Sequence, residues 1–385
     1  NMMIIGVAPL IVFVFLPFYR RLNITTAYEY LEKRFNLTAR LTGCAMFIMF
    51  QFSRMAIVLF LPSIALSVVT GINVQVCIII MGTLSIIYTV LGGIEAVVWT
   101  DVLQVTILLG GAILCTILIL LDLEGGFGTF MDIAVSEGKL ETFDFTFDFT
   151  QATFWVVLIG SFCGVTISYG SDQTVIQRYL TTKDEKSAAR GIWTNGIMCV
   201  PGSILFFAIG TALYVFYKTH PAQLNSSLAQ NDAIFPWYIV TQLPQGVAGI
   251  LIAAIFAASM SSLDRSMNSV ATAVITDYYQ RFKPNTTDAA RLRLARWITA
   301  IVGIMGTSIA ILMAGWGIKS LWDQLDMVIG LFAGGLCGLF ILGMFTRRAN
   351  GTGAVAGLIT SGIIQYIVKE HTPVSFLLYS ATGMA

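Results

Sequence analysis

Apolar runs about as long as a bilayer is thick recur along this chain, and they limit its possible folds more than any other feature. They lie near residues 2–18, 42–70, 74–91, 99–121, 152–170, 190–217, 246–275, 297–315, 325–345 and 352–368, and another begins at 374. A helix of roughly 20 residues crosses ~30 Å of hydrocarbon. None of the runs alternates with the period of two that an outer-membrane strand needs, so a helical bundle is the expected architecture. Composition agrees, with 56% hydrophobic and 11% charged residues among 385, against roughly 25% charged in a soluble domain. A net charge of +1 argues against nucleic acid as a partner.

Positive charge alternates across the connections. FYRRLNITTAYEYLEKRFNLTAR, QRYLTTKDEKSAAR, QRFKPNTTDAARLRLAR and FTRRANGTG hold most of the lysines and arginines. The opposite set holds only Lys139, Lys218, Lys319 and Lys369. The positive-inside rule puts the first set in the cytoplasm, and every span then crosses once. The expectation is a multi-pass protein of the plasma membrane, the inner membrane in a Gram-negative cell. EYLEKRF reads as an amphipathic helix on the cytoplasmic membrane surface. The acidic outer segment 122–150 reads as holding a short helix or strand.

Chemistry of the enzymatic kind finds no support. There is no HExxH, no GxSxG and no phosphate-cradling loop. Cys44, Cys77, Cys115, Cys163, Cys199 and Cys337 lie inside apolar runs without metal-ligand spacing, and no cofactor is implied. His220 and His371 fall in short polar connections. The chain opens NMMIIGVAPL and stops within the apolar LLYSATGMA, so a single transporter domain cut from a longer chain is the expectation.

An ionisable group at bilayer depth costs roughly 2.5–3.5 kcal/mol on insertion scales and marks a functional candidate. Residues 257–269, AASMSSLDRSMNS, put five serines, Asp264 and Arg265 into an otherwise apolar run. Ala258, Ser261, Ser262 and Ser266 lie three or four positions apart on one helical face. Two readings stand at this point. Hydroxyl and carbonyl oxygens are the hard ligands an alkali cation prefers, while a small-residue face also lets membrane helices pack closely. Arg54, in QFSRMAIVLF, reads either as an arginine paired with an internal carboxylate or as a fork for a substrate carboxylate. Asp101, in VVWTDVLQ, reads as a carboxylate near a helix N-terminus or as an ion ligand.

The run PQGVAGILIAAIFAASMSSLDRSMNSVATAVITDYYQRF resembles the eighth core helix of the sodium/solute symporter family. ITTAYEYLEKRF, YTVLGGIEAVVWTDVLQ, SDQTVIQRYL and LFAGGLCGLFILGMFTRRANGTGAVAG agree with that family in order and spacing, over nearly the whole chain. The resemblance implies an all-α core of leucine-transporter type, two inverted five-helix repeats with sites near the midplane. Residue 1 then falls near the second core helix, the first repeat is incomplete, and residues 1–385 alone are expected not to transport. The resemblance also implies that sodium binds Ser261, Ser262 and the Ala258 carbonyl.

The motifs are most similar to the bacterial sialic acid branch, where an arginine in the matching R-x-A-I motif holds the sugar acid's carboxylate. That points to Arg54 as the substrate group. The same branch uses the aspartate matching Asp101, with two serines, for a second sodium. This chain has Asp264 and Arg265 in place of those serines. Either Asp264 is itself a cation ligand, or Arg265 neutralises an aspartate and removes the second ion; the ion-pair option is favoured. The stake is energetic. An anion moving with one sodium carries no net charge, so a tenfold sodium gradient contributes about 1.4 kcal/mol. A second sodium adds the same again plus about 2.3 kcal/mol per 100 mV.

TISYGSDQTVIQRYL reads as a broken or gating segment, with Tyr169 either an inner aromatic gate or an interfacial anchor. Gln324, in LWDQLDMV, is a candidate for the outer pathway, and Trp322, Asp323 and Asp326 read as belonging to that helix end. The expected activity is sodium-coupled symport of a small organic solute, best a sugar acid such as sialic acid. Monocarboxylates, amino acids, neutral sugars and a sensor fused to a signalling domain are the alternatives.

Overall fold

The structure, a computed structural model, describes residues 2–22, 24–140, 143–225, 233–283, 285–315 and 321–385, with side chains at all of these except 69, 93–98, 100, 321–323 and 326. The described residues are helical apart from short connections. Among them, eight helices are long and apolar enough to cross a membrane, and a bent pair makes a ninth. They are α1 (Ile4–Arg21), α3 (Leu37–Thr70), α4 (Val74–Asp122, two crossings), α6 and α7 (Phe154–Gly170 and Gln173–Thr181, the bent pair), α8 (Glu185–Thr219), α10 (Gln245–Phe282), α11 (Asp288–Met313) and α14 (Gly351–His371). Shorter helices are α2 (Tyr28–Arg34), α5 (Gly126–Ser136), α9 (Ile234–Gln242), α12 (Leu321–Val328), α13 (Ile329–Phe345) and α15 (Tyr379–Met384). Every apolar run read from the sequence coincides with one of these.

Prolines shape the spans in ways that matter for the site. The ring of Pro17 would clash with the carbonyl of Phe13, four residues earlier, and α1 widens there into a π turn over Ile11–Phe15. Pro62 in α3 cannot bond the carbonyl of Val58. That orphan is taken by Ser259 on α10, whose Oγ donates to the Val58 oxygen at 2.7 Å. A defect in one helix thus becomes a tie between two.

The centre of the bundle is α10, packed against α3, α4, α7 and α11. Close approach of α10 and α4 to α11 depends on Gly303, where a Cβ would come within 2.8 Å of Met267 Sδ on α10 and 2.4 Å of Ile86 on α4. A large apolar core gathers Phe15, Tyr19, Tyr28, Phe47, Met267 and Phe340. A second one gathers Phe130, Phe216, Tyr238 and Leu251.

Residues 92–100, read as a connection, are helical in backbone and join two separate spans, Val74–Gly92 and Asp101–Asp122; Thr89 and Asp101, on either side of them, reach the neighbouring residues Asp264 and Arg265 of α10. One expectation is corrected: Tyr28–Arg34 does not lay an apolar face on lipid. Tyr28, Tyr30 and Leu31 are buried in protein, with the two tyrosine rings against Phe47, Phe18 and Phe340. The segment 122–150, expected outside, holds a helix, α5, and chain without regular secondary structure over 143–148.

Candidate ion and substrate site

The break between α6 and α7 organises one side of the site. The two helices meet at 53° across Ser171 and Asp172. Gly170 ends α6 against Phe15, which a Cβ there would meet at 3.0 Å. Its carbonyl, left without a helical partner, accepts from Tyr19 Oη at 2.5 Å. Asp172 caps α7, accepting from the Thr174 amide at 2.8 Å and the Thr174 hydroxyl at 2.7 Å. The segment expected to be broken is broken.

Arg54, on α3, points at that cap. Its Nη1 lies 3.5 Å from Asp172 Oδ2. Gln51, one turn earlier on the same face, donates to Asp172 Oδ1 at 3.2 Å. Sequence reasoning named neither Gln51 nor Asp172. The i,i+3 spacing of Gln51 and Arg54 in a membrane span was the available signal.

On α10 the three expected sodium ligands come together within one turn. Ser261 Oγ donates to the Ala258 carbonyl at 2.9 Å, and Ser262 Oγ faces the same oxygen at 3.4 Å. Both hydroxyls lie against that carbonyl, and two hydroxyls with one carbonyl are a hard-oxygen donor set that suits an alkali ion. Arg265, one turn on, folds back over them. Its Nη2 donates to Ser261 Oγ at 2.9 Å and its Nε to the Ser261 carbonyl at 3.1 Å. The same guanidinium reaches Asp101, with Nε 3.3 Å from Oδ2. Arg178, from α7, reaches that oxygen at 3.2 Å. Asp101 is therefore shared by two arginines.

Asp264 turns the other way. Fully buried, it accepts from Thr89 Oγ1 at 2.7 Å and from Tyr88 Oη, both on α4. Asp101 and Asp264, paired in expectation as parts of one second cation site, face different partners. Neither Tyr88 nor Thr89 stood out in the sequence, since a cross-helix contact leaves no local pattern.

Tyr169, the residue before Gly170, accepts from Asn195 of α8. With Ser168, Ser161, Cys199 and Ser380 it lines a cavity of about 280 Å³. Gln324 lies half-buried in the first turn of α12. Trp322, Asp323 and Asp326 lie outside the residues with described side chains. Among the described residues no group of three His, Cys, Asp or Glu could hold a metal.

A multi-span helical bundle in which a broken helix packs against a central helix carrying hydroxyl and carbonyl oxygens at mid-span is the build of a secondary transporter. The chain belongs to the sodium:solute symporter family, which it matches over residues 1–361, and it is a sodium-coupled solute symporter. It is 36% identical over 382 residues to the sodium/sialic acid symporter of Aliivibrio fischeri, covering 98% of this chain and 75% of that one. The Proteus mirabilis sodium/sialic acid symporter is also 36% identical, covering 98% and 77%. The human sodium-coupled monocarboxylate transporter 1 is 30% identical, covering 90% and 57%. Among solved structures, a substrate-bound, outward-open Na+-coupled sialic acid symporter, described as revealing a novel Na+ site, superposes with a TM-score of 0.90 at 35% identity, covering 99% of this chain and 79% of that one. Inward-facing Mhp1, at a TM-score of 0.58 and 16% identity, covers 100% and 81% and shares the fold. The fold is of leucine-transporter type.

Proposed function

We propose that this symporter carries a carboxylate-bearing solute, a sugar acid such as sialic acid, inward with one sodium ion. The reading of the substrate is carried by Arg54, a guanidinium at mid-span with a quarter of its side chain exposed. A planar fork of N–H donors matches a carboxylate bidentately. The two sialic acid symporters at 36% identity support the same class.

Sodium binds the Ala258 carbonyl and the Ser261 and Ser262 hydroxyls. A Ser261 oxygen that accepts from Arg265 and donates to Ala258 keeps one lone pair for the ion. Asp101 takes no second sodium, because Arg265 and Arg178 already supply its positive partners. Asp264 serves the coupling by tying α10 to α4 through Tyr88 and Thr89. Sodium would favour the outward-open state, and solute near Arg54 would then close the outer path. Coupling requires each ligand to bind better when the other is present. Tyr169, beside the break, gates the inner path, and Gln324 lines the outer one.

The test is uptake of a substrate panel by the intact carrier with and without sodium, with current recorded. Sodium-dependent, electroneutral sialate uptake supports the proposal. A current accompanying an anionic substrate contradicts one-sodium coupling. Preference for a short monocarboxylate, which the 30% identity to the human monocarboxylate transporter favours as the second reading, moves the substrate within the carboxylate class.

A further inference from the structure

We infer that Asp172 is the resting counter-ion of Arg54, displaced by the substrate's carboxylate, and that it sets how tightly and which carboxylates bind. The inference rests on Arg54 being the substrate group.

The two oxygens of Asp172 do different work. Oδ1 accepts from Gln51 Nε2, the Thr174 amide and the Thr174 hydroxyl, at 3.2, 2.8 and 2.7 Å. These bonds fix the carboxylate to α3 and to the cap of α7 without any help from Arg54. Oδ2 faces Arg54 Nη1 at 3.5 Å, its one ion pair among the described residues. A charge-assisted N–H···O bond runs about 2.7–2.9 Å, and an arginine–carboxylate pair at full strength is bidentate. Here one nitrogen meets one oxygen at a longer distance. The pair holds the guanidinium in place without consuming its fork.

Accessibility is asymmetric as well. The Arg54 side chain is 26% exposed and that of Asp172 is 7% exposed. An incoming anion meets the arginine, while the aspartate stays behind it. Two carboxylates near one guanidinium repel each other, so Asp172 holds down the affinity for a plain carboxylate. A solute with a hydroxyl beside its carboxylate recovers part of this loss by donating to Asp172 Oδ2. The favoured class is therefore hydroxy and sugar acids over unsubstituted ones. Because Asp172 caps α7 at the 53° break, exchange of its partner also reports binding to the helix that bends.

The experiment compares sodium-dependent uptake of sialate, lactate and propionate by the reconstituted intact carrier. The proteins are the parent, Arg54→Lys, Asp172→Asn, the double variant and Asp172→Glu. Asp172→Asn is isosteric and keeps an acceptor for Thr174; its melting temperature checks folding. The inference predicts that Asp172→Asn lowers the half-saturation concentration about fivefold and narrows the preference for lactate over propionate. Both effects should vanish in the Arg54→Lys background, and Asp172→Glu should restore parental values. A folded Asp172→Asn carrier with unchanged or raised half-saturation overturns the inference alone, provided Arg54→Lys weakens binding. If Arg54→Lys changes nothing, or no acid is taken up with sodium, the carboxylate reading of Arg54 falls and the counter-ion role with it.

Discussion

Two ion networks hang on α10, about 18 Å apart along its axis, and they are built differently. At the C-terminal end of α10, Arg40 bridges Asp277 and Glu32, both at 2.7 Å, and Arg281 reaches Glu32 at 2.9 Å. Thr26 Oγ1 adds a 2.7 Å bond to Asp277, which is fully buried. Near the middle, Asp101 meets Arg178 and, on α10, Arg265 at 3.2 and 3.3 Å, while off α10, between α3 and the cap of α7, Asp172 meets Arg54 at 3.5 Å. The first network fastens α2 and α3 to α10 through short bonds. The second leaves donors and acceptors under-used in the region proposed to bind ion and solute. On that proposal, tight pairing is structural, and loose pairing is where partners change.

The largest effect should come from breaking the tight network. Arg40→Ala strands the buried Asp277 carboxylate, and loss of one partner of a buried pair costs about 3–5 kcal/mol. Thermal unfolding in detergent measures it, and a loss under about 1 kcal/mol would mean the two networks do not differ in kind. Next comes Arg54→Lys, which keeps the charge and loses the fork. The half-saturation concentration for the carboxylate substrate should rise about tenfold, equivalent to about 1.4 kcal/mol. Unchanged uptake kinetics would take Arg54 out of the site.

A smaller effect is expected at Arg265. Removing its charge beside Ser261 should lower the sodium half-saturation about threefold, under 1 kcal/mol, as titrated by sodium-dependent uptake. A rise instead would make the guanidinium a support of the sodium site rather than a competing charge. The smallest effect is with pH. Burial pushes the Glu32 carboxyl up, but hydrogen bonds and charge from Arg281 and Arg40 outweigh it and hold the group below its usual range. Its contribution is then fully present above the unfolded value of about 4.3 and is lost as pH falls through the folded one. Melting temperature should be flat from pH 5 to 8 and decline below about pH 4, by under about 1 kcal/mol for this exposed-side pair. A decline beginning at pH 6 would place the sensitive group elsewhere.

The spans were legible because length and hydropathy are local properties. The serines of α10 were legible because polar atoms at membrane depth are costly enough to stand out. Partners across helices were not. Asp264 turns to Tyr88 and Thr89, and Arg54 to Asp172, through contacts between residues more than 100 positions apart. The tight network was hidden for another reason. Asp277 lies in a π turn, Val274–Tyr279, that shifts the helical face from the one the regular period assigns. Read as an ordinary helix, TDYYQRF is simply a polar span end.

The account stands on Ser261 and Ser262 as ligands for the driving ion. Sodium-dependent uptake by Ser261→Ala/Ser262→Ala in the intact carrier, with folding checked by melting, tests this most directly. The account predicts a sodium half-saturation raised at least tenfold, with solute uptake no longer accelerated by physiological sodium. A sodium titration that superimposes on that of the parent protein would contradict it.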